Sequence, residues 1–375
     1  MTPPVVAVVP GIYRQQVLPE PRPAALPSGV CAFLGVAVQG PFYAPVSLRR
    51  SDEFAGVFGA ERGLGHLAAA VDGFFAAGGV TCYVVRIDPA DGDWPSQALA
   101  ALTPLDDADL VALPDLGAAP AARWPDIHRA VLEHCEASGT RFAVLDAFPG
   151  ASAADVLVQR DRLRSRSGAL YFPWVRLGDG QVVPPCGHVA GMYAAVDAAR
   201  GVGSAPANLD LPGVLDLVPP PTPAELAQLS AAGVNPLRAL PGRGIRVWGA
   251  RSLAGPDDPQ WTSVGVCRLF QWLARELQSI GQAFVLEPND VGTWVRIRRE
   301  MSDRLWGLWR QGTLAGATPE AAFYVKCDAE TNPAGVRDAG LVVTEIGLAP
   351  SVPAAFVVVR LVQQDGRTTL AGTTA

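Results

Sequence analysis

Two aspartates, Asp115 and Asp146, fall just past apolar runs at 110–113 and 142–145 that read as strands. Strand ends of that kind are where α/β proteins place ligand sites, so this pair makes the strongest case for an enzyme. The competing reading is that Asp simply caps or terminates there, and no glycine fingerprint accompanies either residue. His128 and His134 are six apart on one predicted helix, so they do not share a face and make a poor ligand pair. Cys31, Cys82, Cys135, Cys186, Cys267 and Cys327 are scattered, with no CxxC pair and no clustering with His, which predicts reduced thiols and no zinc site. Gly59-x-x-x-Gly63-x-Gly65 lacks the Lys-Ser/Thr pair and the preceding strand of a phosphate loop. No nucleophile, base or cofactor loop is complete, so no catalytic, cofactor-binding or metal-binding residue is expected.

The elements that would position such residues alternate along the chain. Residues 31–38 and 81–87 read as strands around two helices, one carrying Phe54, Val57 and Phe58 behind a cap at Ser51-Asp52-Glu53, the other carrying Leu67, Val71, Phe74 and Phe75. Residues 88–103 are polar and look like a boundary. Strands at 110–113, 142–145 and 169–175 then alternate with helices at 124–137, 152–165 and 187–200, which predicts βαβ units and a parallel sheet with helices on both faces. Residues 210–223 read as a proline-rich loop, followed by a helix with Thr222 as cap and Pro223 at its first position.

Beyond Gly233 the pattern changes. Gly242-Arg243-Gly244 predicts a tight turn into a strand at 245–248. Val266, Leu269, Phe270, Leu273, Leu277 and Ile280 form an amphipathic stripe, with Arg268, Arg275 and Glu276 off it. Residues 284–286 read as a strand. A second helix over 293–311 buries Trp294, Ile297, Met301, Leu305 and Leu308, and its other face carries Arg296, Arg298, Arg299, Arg304 and Arg310 against only Glu300 and Asp303. That face is either solvated or a docking face for an acidic partner. Strands at 323–327, 342–346 and 355–362 complete an α+β unit, and the tail after Gln363 is expected to be loose. At the other end, residues 5–17 form an apolar strand broken at Pro10-Gly11, followed by Pro19, Pro21, Pro23 and Pro27. It pairs either within its own domain or, by β-augmentation, with a neighbouring copy.

Several runs, in order, resemble one family: Val234-Asn235-Pro236-Leu237-Arg238, Pro241-Gly242-Arg243-Gly244-Ile245-Arg246-Val247-Trp248-Gly249-Ala250-Arg251, Leu286-Glu287-Pro288-Asn289-Asp290, Leu314-Ala315-Gly316-Ala317-Thr318-Pro319-Glu320-Ala321-Ala322-Phe323 and Glu345-Ile346-Gly347-Leu348-Ala349-Pro350. They resemble the C-terminal domain of contractile tail sheath proteins, which include sheaths of phage tails, R-type bacteriocins and contractile injection systems. Cys186-Gly187-His188-Val189-Ala190-Gly191 resembles the helix start that follows the nucleophile in subtilisin-like proteases, where serine stands five residues before the His; here that position is Val183, and Cys186 is in the wrong place. This fits the catalytically dead subtilisin-like domain of sheath proteins. Pro10-Gly11-Ile12-Tyr13 resembles their N-terminal arm, and residues 193–202 and 205–208 extend the match.

The resemblance implies an α/β fold, subtilisin-like and catalytically dead, followed by an α+β C-terminal sheath domain, with extended strand arms at both termini. The expected divisions are an arm at 1–27, a small α/β unit at 28–95, the subtilisin-like domain at 96–232, the sheath domain at 233–350 and a strand arm and tail at 351–375. It implies a structural subunit, stacked as hexameric rings around an inner tube and contracting to drive that tube through a target envelope; an α/β, hydrolase-like enzyme is the alternative. Inter-subunit contacts are expected through Val5, Val6, Val8, Ile12, Tyr13 and Val17 and through Phe356, Val357, Val358, Val359 and Leu361, and inner-tube docking through Arg296, Arg298, Arg299, Arg304 and Arg310. The implied partners are copies of itself, the inner tube protein, and baseplate and cap or terminator proteins. Assembly in the bacterial cytoplasm into a tail or tail-like particle follows, with a short chain that leaves no room for an added surface domain and leans towards an injection system or bacteriocin-like particle.

Composition is consistent with this. An apolar fraction of 49% and a charged fraction of 18% describe a globular chain, and a formal charge of −6 argues against nucleic acid as a partner. No apolar run is long enough to span a bilayer, so no membrane insertion is expected, and residues 1–10 lack the basic region of a signal peptide. Lys326 is the only lysine, which reflects either a GC-rich genome or a preference for Arg in interface ion pairs.

Overall fold

The computed structural model describes residues 26–60, 64–284, 287–350, 357–364 and 367–374. In chain order the first half comprises β1 (Cys31–Gly35), β2 (Val46–Leu48), α1 (Glu53–Phe58), α2 (Leu67–Ala76), β3 (Cys82–Arg86), α3 (Trp94–Ala100), β4 (Leu110–Ala112), α4 (Trp124–Ser138), β5 (Phe142–Asp146), α5 (Ala153–Asp161), β6 (Gly168–Phe172), β7 (Trp174–Leu177), β8 (Val182–Val183) and α6 (Cys186–Arg200). The second half comprises β9 (Val214–Val218), α7 (Pro223–Ala231), β10 (Asn235–Leu240), β11 (Gly244–Val247), α8 (Val264–Gln282), α9 (Val291–Arg310), α10 (Pro319–Ala322), β12 (Phe323–Lys326), α11 (Ala334–Asp338), β13 (Val342–Leu348), β14 (Val357–Gln364) and β15 (Arg367–Thr374).

An eight-stranded sheet in the order β11-β10-β6-β5-β4-β1-β3-β2 forms the body. Its inner strands run parallel, and the edge strands β11 and β2 pair antiparallel. Strands buried on both faces read as near-continuous apolar runs, and β1 is apolar throughout and β5 up to its last residue, Asp146. Alternate residues then serve different cores. Cys31 and Phe33, with Phe142 and Val144, face a core shared with α2, α6, α8 and α9. Ala32 and Leu34, with Ala143 and Leu145, face a core shared with α3, α4, α5 and α7. Helices therefore cover both faces, as the βαβ alternation predicts.

The sheet runs across the divisions expected at 95/96 and 232/233: β1 lies between β3 and β4, and β10 pairs with β6. Hydrogen bonds between strands distant in sequence override the compositional break at 88–103, which itself contains α3. The run at 169–175 is not one strand. It splits at Pro173 into β6, in the large sheet, and β7, in a three-stranded sheet β8-β7-β9. The expected loop at 210–223 supplies β9, antiparallel to β7. Asp52 precedes α1 but makes no side-chain cap, whereas Thr222 and Glu225 form the reciprocal capping box that starts α7. The strand expected at 284–286 does not begin at Phe284, which lies in a turn, and its other two residues lie outside the described residues.

The C-terminal part carries a four-stranded antiparallel sheet, β12-β13-β14-β15. Its strands pair in full register, from Val342↔Gln363 to Leu348↔Val357 between β13 and β14, and from Val357↔Thr374 to Gln364↔Arg367 between β14 and β15. The tail after Gln363, expected to be loose, thus contributes β15. The motif at 286–290 has a local job here. Asp290 caps α9 by accepting from Thr293 N–H, and Asn289 bridges the Trp294 indole to the Leu341 carbonyl, tying helix to sheet.

Candidate functional site

The residues that could do chemistry have structural explanations. Asp115 is buried and its carboxylate accepts from the main-chain N–H groups of Val36 and His66, pinning the start of α2 to the end of β1. Burial raises its pKa, and those N–H groups oppose the rise. Asp146, the last residue of β5, is different: neither oxygen has a partner of hydrogen-bond geometry. Burial pushes its pKa up to about 7, against the pull of the Cys186 thiol and N–H at the first turn of α6.

The subtilisin-like run contains no nucleophile in place. Val183 is a buried strand residue, and Cys186 is buried with its thiol pKa raised well above the ordinary value, first by burial and then by Asp146. His188 is buried, its pKa lowered to about 4 by that burial against the opposing charge of Asp72, and it packs on Gly73. The run instead serves packing. A Cβ on Gly187 would collide with the Ala70 carbonyl, and one on Gly191 with the Phe74 carbonyl, so α6 and α2 touch backbone to backbone. His128 and His134 are separated: His128 meets Gln159, and His134 meets Arg141. All six cysteines are free and buried, and no group of three His, Cys, Asp or Glu among the described residues could hold a metal. No helix among them is long and apolar enough to cross a membrane.

The expected contact residues fall in three places. Val5, Val6, Val8, Ile12, Tyr13, Val17 and Phe356 lie outside the described residues. Val357, Val358, Val359 and Leu361 lie on β14. The five arginines lie on α9, but they do not form one face. Arg296, Arg299 and Arg310 are exposed opposite the buried stripe. Arg296 pairs with Glu287 at 2.8 Å, and Arg310 stacks on the exposed Trp306 with 4.9 Å from guanidinium to ring centre. Arg304 is corrected from this face: it is turned inward, stacks on Trp272 and pairs with the buried Glu276. Arg298 is exposed but flanks the stripe, on the opposite side from Arg304.

The polar face of α8 corrects the amphipathic reading more sharply. Arg268, Arg275 and Glu276 are only 3%, 4% and 5% exposed. Arg268 grips Asp197 of α6 with two hydrogen bonds of 2.8 and 2.6 Å and reaches Asp109, just before β4, at 3.0 Å. Burial alone would lower the Arg268 pKa; the two carboxylates hold it above the ordinary value. Asp109 in turn accepts from Gly29 and Val30 N–H, at 3.0 and 2.7 Å. One turn on, the Trp272 indole donates to the Leu26 carbonyl, Arg275 to the Pro27 and Asp107 carbonyls, and Glu276 accepts from Leu26 N–H. Four side chains spaced i, i+4, i+7 and i+8 thus hold the segment at 26–30 against the body. That spacing was the signal in the sequence; the charges within it pointed to solvent instead.

The sequence model of the phage tail sheath protein central domain matches residues 95–253. No curated protein matches the sequence. Among solved structures, the chain is similar to one in the cryo-EM structure of the anti-feeding prophage baseplate, at 25% identity and TM-score 0.76, covering 96% of this chain and 100% of that one. It is similar to one in the contracted sheath complex of PVC, an extracellular contractile injection system, at 27% identity and TM-score 0.76, covering 93% and 95%. The crystal structure of a sheath tail protein from Desulfitobacterium hafniense shares the fold, at 12% identity and TM-score 0.67, covering 94% and 100%.

Proposed function

Because the chain belongs to the contractile tail sheath family, we propose that it is a sheath subunit, stacking as hexameric rings around an inner tube and contracting to drive that tube through a target envelope. The observation that carries this reading is the end-to-end likeness to the anti-feeding prophage chain, with 96% and 100% of the two chains covered. A shared body without an added surface domain also favours an injection-type particle. The baseplate origin of that chain extends the reading to contact with a baseplate, and cap or terminator proteins complete the set. Assembly in the bacterial cytoplasm, into a tail-like particle, belongs to the same reading.

Residues 5–17 are the arm that adds a strand to the small sheet of a neighbouring copy, and β14 with β15 is the arm exchanged at the other end. Such exchange costs little, because contacts made within a chain are replaced by the same contacts between chains. Rigid bodies linked by these arms can rotate while the mesh holds. Contraction then sums small interface differences over many subunits. The body is the subtilisin-like domain without chemistry: Val183 fills the nucleophile position, and Asp115 is consumed by main-chain N–H groups. The basic outer face of α9, from Arg296 to Arg310, faces the tube.

Negative-stain electron microscopy of the purified protein tests this. Long hollow tubes with a helical repeat are expected, with or without co-expression of an inner tube protein, and their loss on deleting residues 1–20. Uniform monomers under both conditions refute the sheath reading. Ordered tubes from the deletion variant refute the arm. A hydrolase reading predicts turnover of an ester or peptide probe that Cys186→Ala and His188→Ala abolish.

A further inference from the structure

Two side chains on α8, four residues apart and so on one face of the helix, each hold Leu26 with one end and α9 with the other. The Trp272 indole N–H donates to the Leu26 carbonyl at 3.3 Å, and the same ring carries the Arg304 guanidinium, 5.5 Å from the ring centre. One oxygen of Glu276 accepts from Leu26 N–H, and the other pairs with Arg304. The contacts close into a ring that runs from Leu26 N–H through Glu276, Arg304 and Trp272 and back to the Leu26 carbonyl. The residues next to Leu26 are held by side chains outside this ring. Arg275 takes the Pro27 carbonyl, and Asp109 takes the N–H groups of Gly29 and Val30.

We infer that Arg304 is a positioning residue that couples the main chain at Leu26 to α9, so that a displacement of α9 is passed on to Leu26. The carboxylate of Glu276 is buried, and a buried charge needs its cation. If Arg304 withdraws, that carboxylate turns to find another donor. It is a rigid, flat group, so its two oxygens move together and the one on Leu26 N–H is carried away. The indole is rigid in the same way. Once the guanidinium leaves its face, the ring is free to rock, and its N–H swings off the Leu26 carbonyl. Both main-chain groups of Leu26 thus depend on one side chain of α9. Arg304 turns inward from the other arginines of that helix, and this coupling is what the turn achieves. The consequence for assembly rests on the sheath reading. There Leu26 leads to the arm and α9 carries the tube-facing arginines, so a shift against the tube reaches the root of the arm.

Amide hydrogen exchange in the dilute full-length protein, read residue by residue, tests the coupling. It needs no tube, so its failure is separate from a failure of the sheath reading. Arg304→Gln is expected to speed exchange at Leu26 at least tenfold and to leave Gly29 and Val30, whose N–H groups Asp109 holds, within twofold of the parent. Arg304→Lys keeps the charge but not the flat, forked guanidinium, and gives a milder variant should the first not fold. It is expected to speed exchange at Leu26 at least threefold with the same two amides unmoved. Exchange at Leu26 within twofold of the parent overturns the proposal. So does an equal rise at Leu26, Gly29 and Val30, which would make Arg304 a general prop of the fold and not a link to one residue.

Discussion

Replacing Asp146 by Asn changes one buried group and nothing in its volume, and the effect should depend on pH in a way no packing defect would. The Asp146 pKa is about 7 in the folded protein against an ordinary value of 3.8. Between those values the folded chain binds more protons than the unfolded one, so this carboxyl makes stability fall as pH rises, and the full penalty is present above pH 7. At ~1.4 kcal/mol per pH unit the penalty reaches about 4 kcal/mol. Asn removes it but brings an amide N–H₂ to a place where the carboxyl makes no hydrogen bond, a pH-independent cost of about 1–3 kcal/mol. The variant should therefore be less stable than the parent near pH 4 and more stable, by roughly 1–3 kcal/mol, at pH 8. His128 and His188, with pKa values lowered to about 3 and about 4, act in the opposite sense, costing stability as pH falls below 6.5. They contribute equally to both proteins and cancel in the difference. Urea unfolding followed by tryptophan fluorescence at pH 4, 5, 6, 7 and 8 gives that difference directly. A gap that stays flat with pH would refute the assignment of Asp146 as a neutral acid in the core.

Three other outcomes follow from the packing and the surface. Gly187→Ala or Gly191→Ala forces α6 away from α2 and should cost about 1–3 kcal/mol by overpacking, read as a lowered urea midpoint. Arg268→Met leaves Asp109 and Asp197 buried without their cation and should cost about 3–5 kcal/mol; adding Asp109→Asn and Asp197→Asn should return part of it, and a failure to do so would place the loss in packing alone. Arg299→Glu combined with Arg310→Glu should leave the unfolding midpoint within ~0.5 kcal/mol of the parent, yet reduce co-sedimentation with a co-expressed inner tube protein at least tenfold.

What the sequence displayed and what it hid have separable physical causes. The parallel body was legible because strands buried on both faces are apolar along most of their length and helices between them repeat every 3.6 residues. The switch from β6 to β7 was not, since both halves of the run at 169–175 are apolar and only hydrogen bonding assigns them to different sheets. Asp115 and Asp146 read alike, as acids after strands. Their surroundings separate them: main-chain N–H groups hydrogen-bond one and fall short of that geometry at the other, which depends on where α2 and α6 begin in space. The buried charges of α8 read as a wet face because their partners are distant in sequence. Asp109 and Asp197 lie 159 and 71 residues from Arg268, and periodicity carries no information over that range.

The pairing of β14 with β13 has a consequence for the order of events in time. The partners are close in the chain, so the pairing closes a short loop and forms quickly once both strands have left the ribosome. A newly made subunit therefore does not wait with a raw β13 edge among many identical copies, which is the condition that breeds aggregates. Any later exchange of this hairpin between subunits begins from a satisfied sheet rather than an open one. It must pass through an opened state, so its pace is set by the opening of the hairpin and not by how often subunits meet.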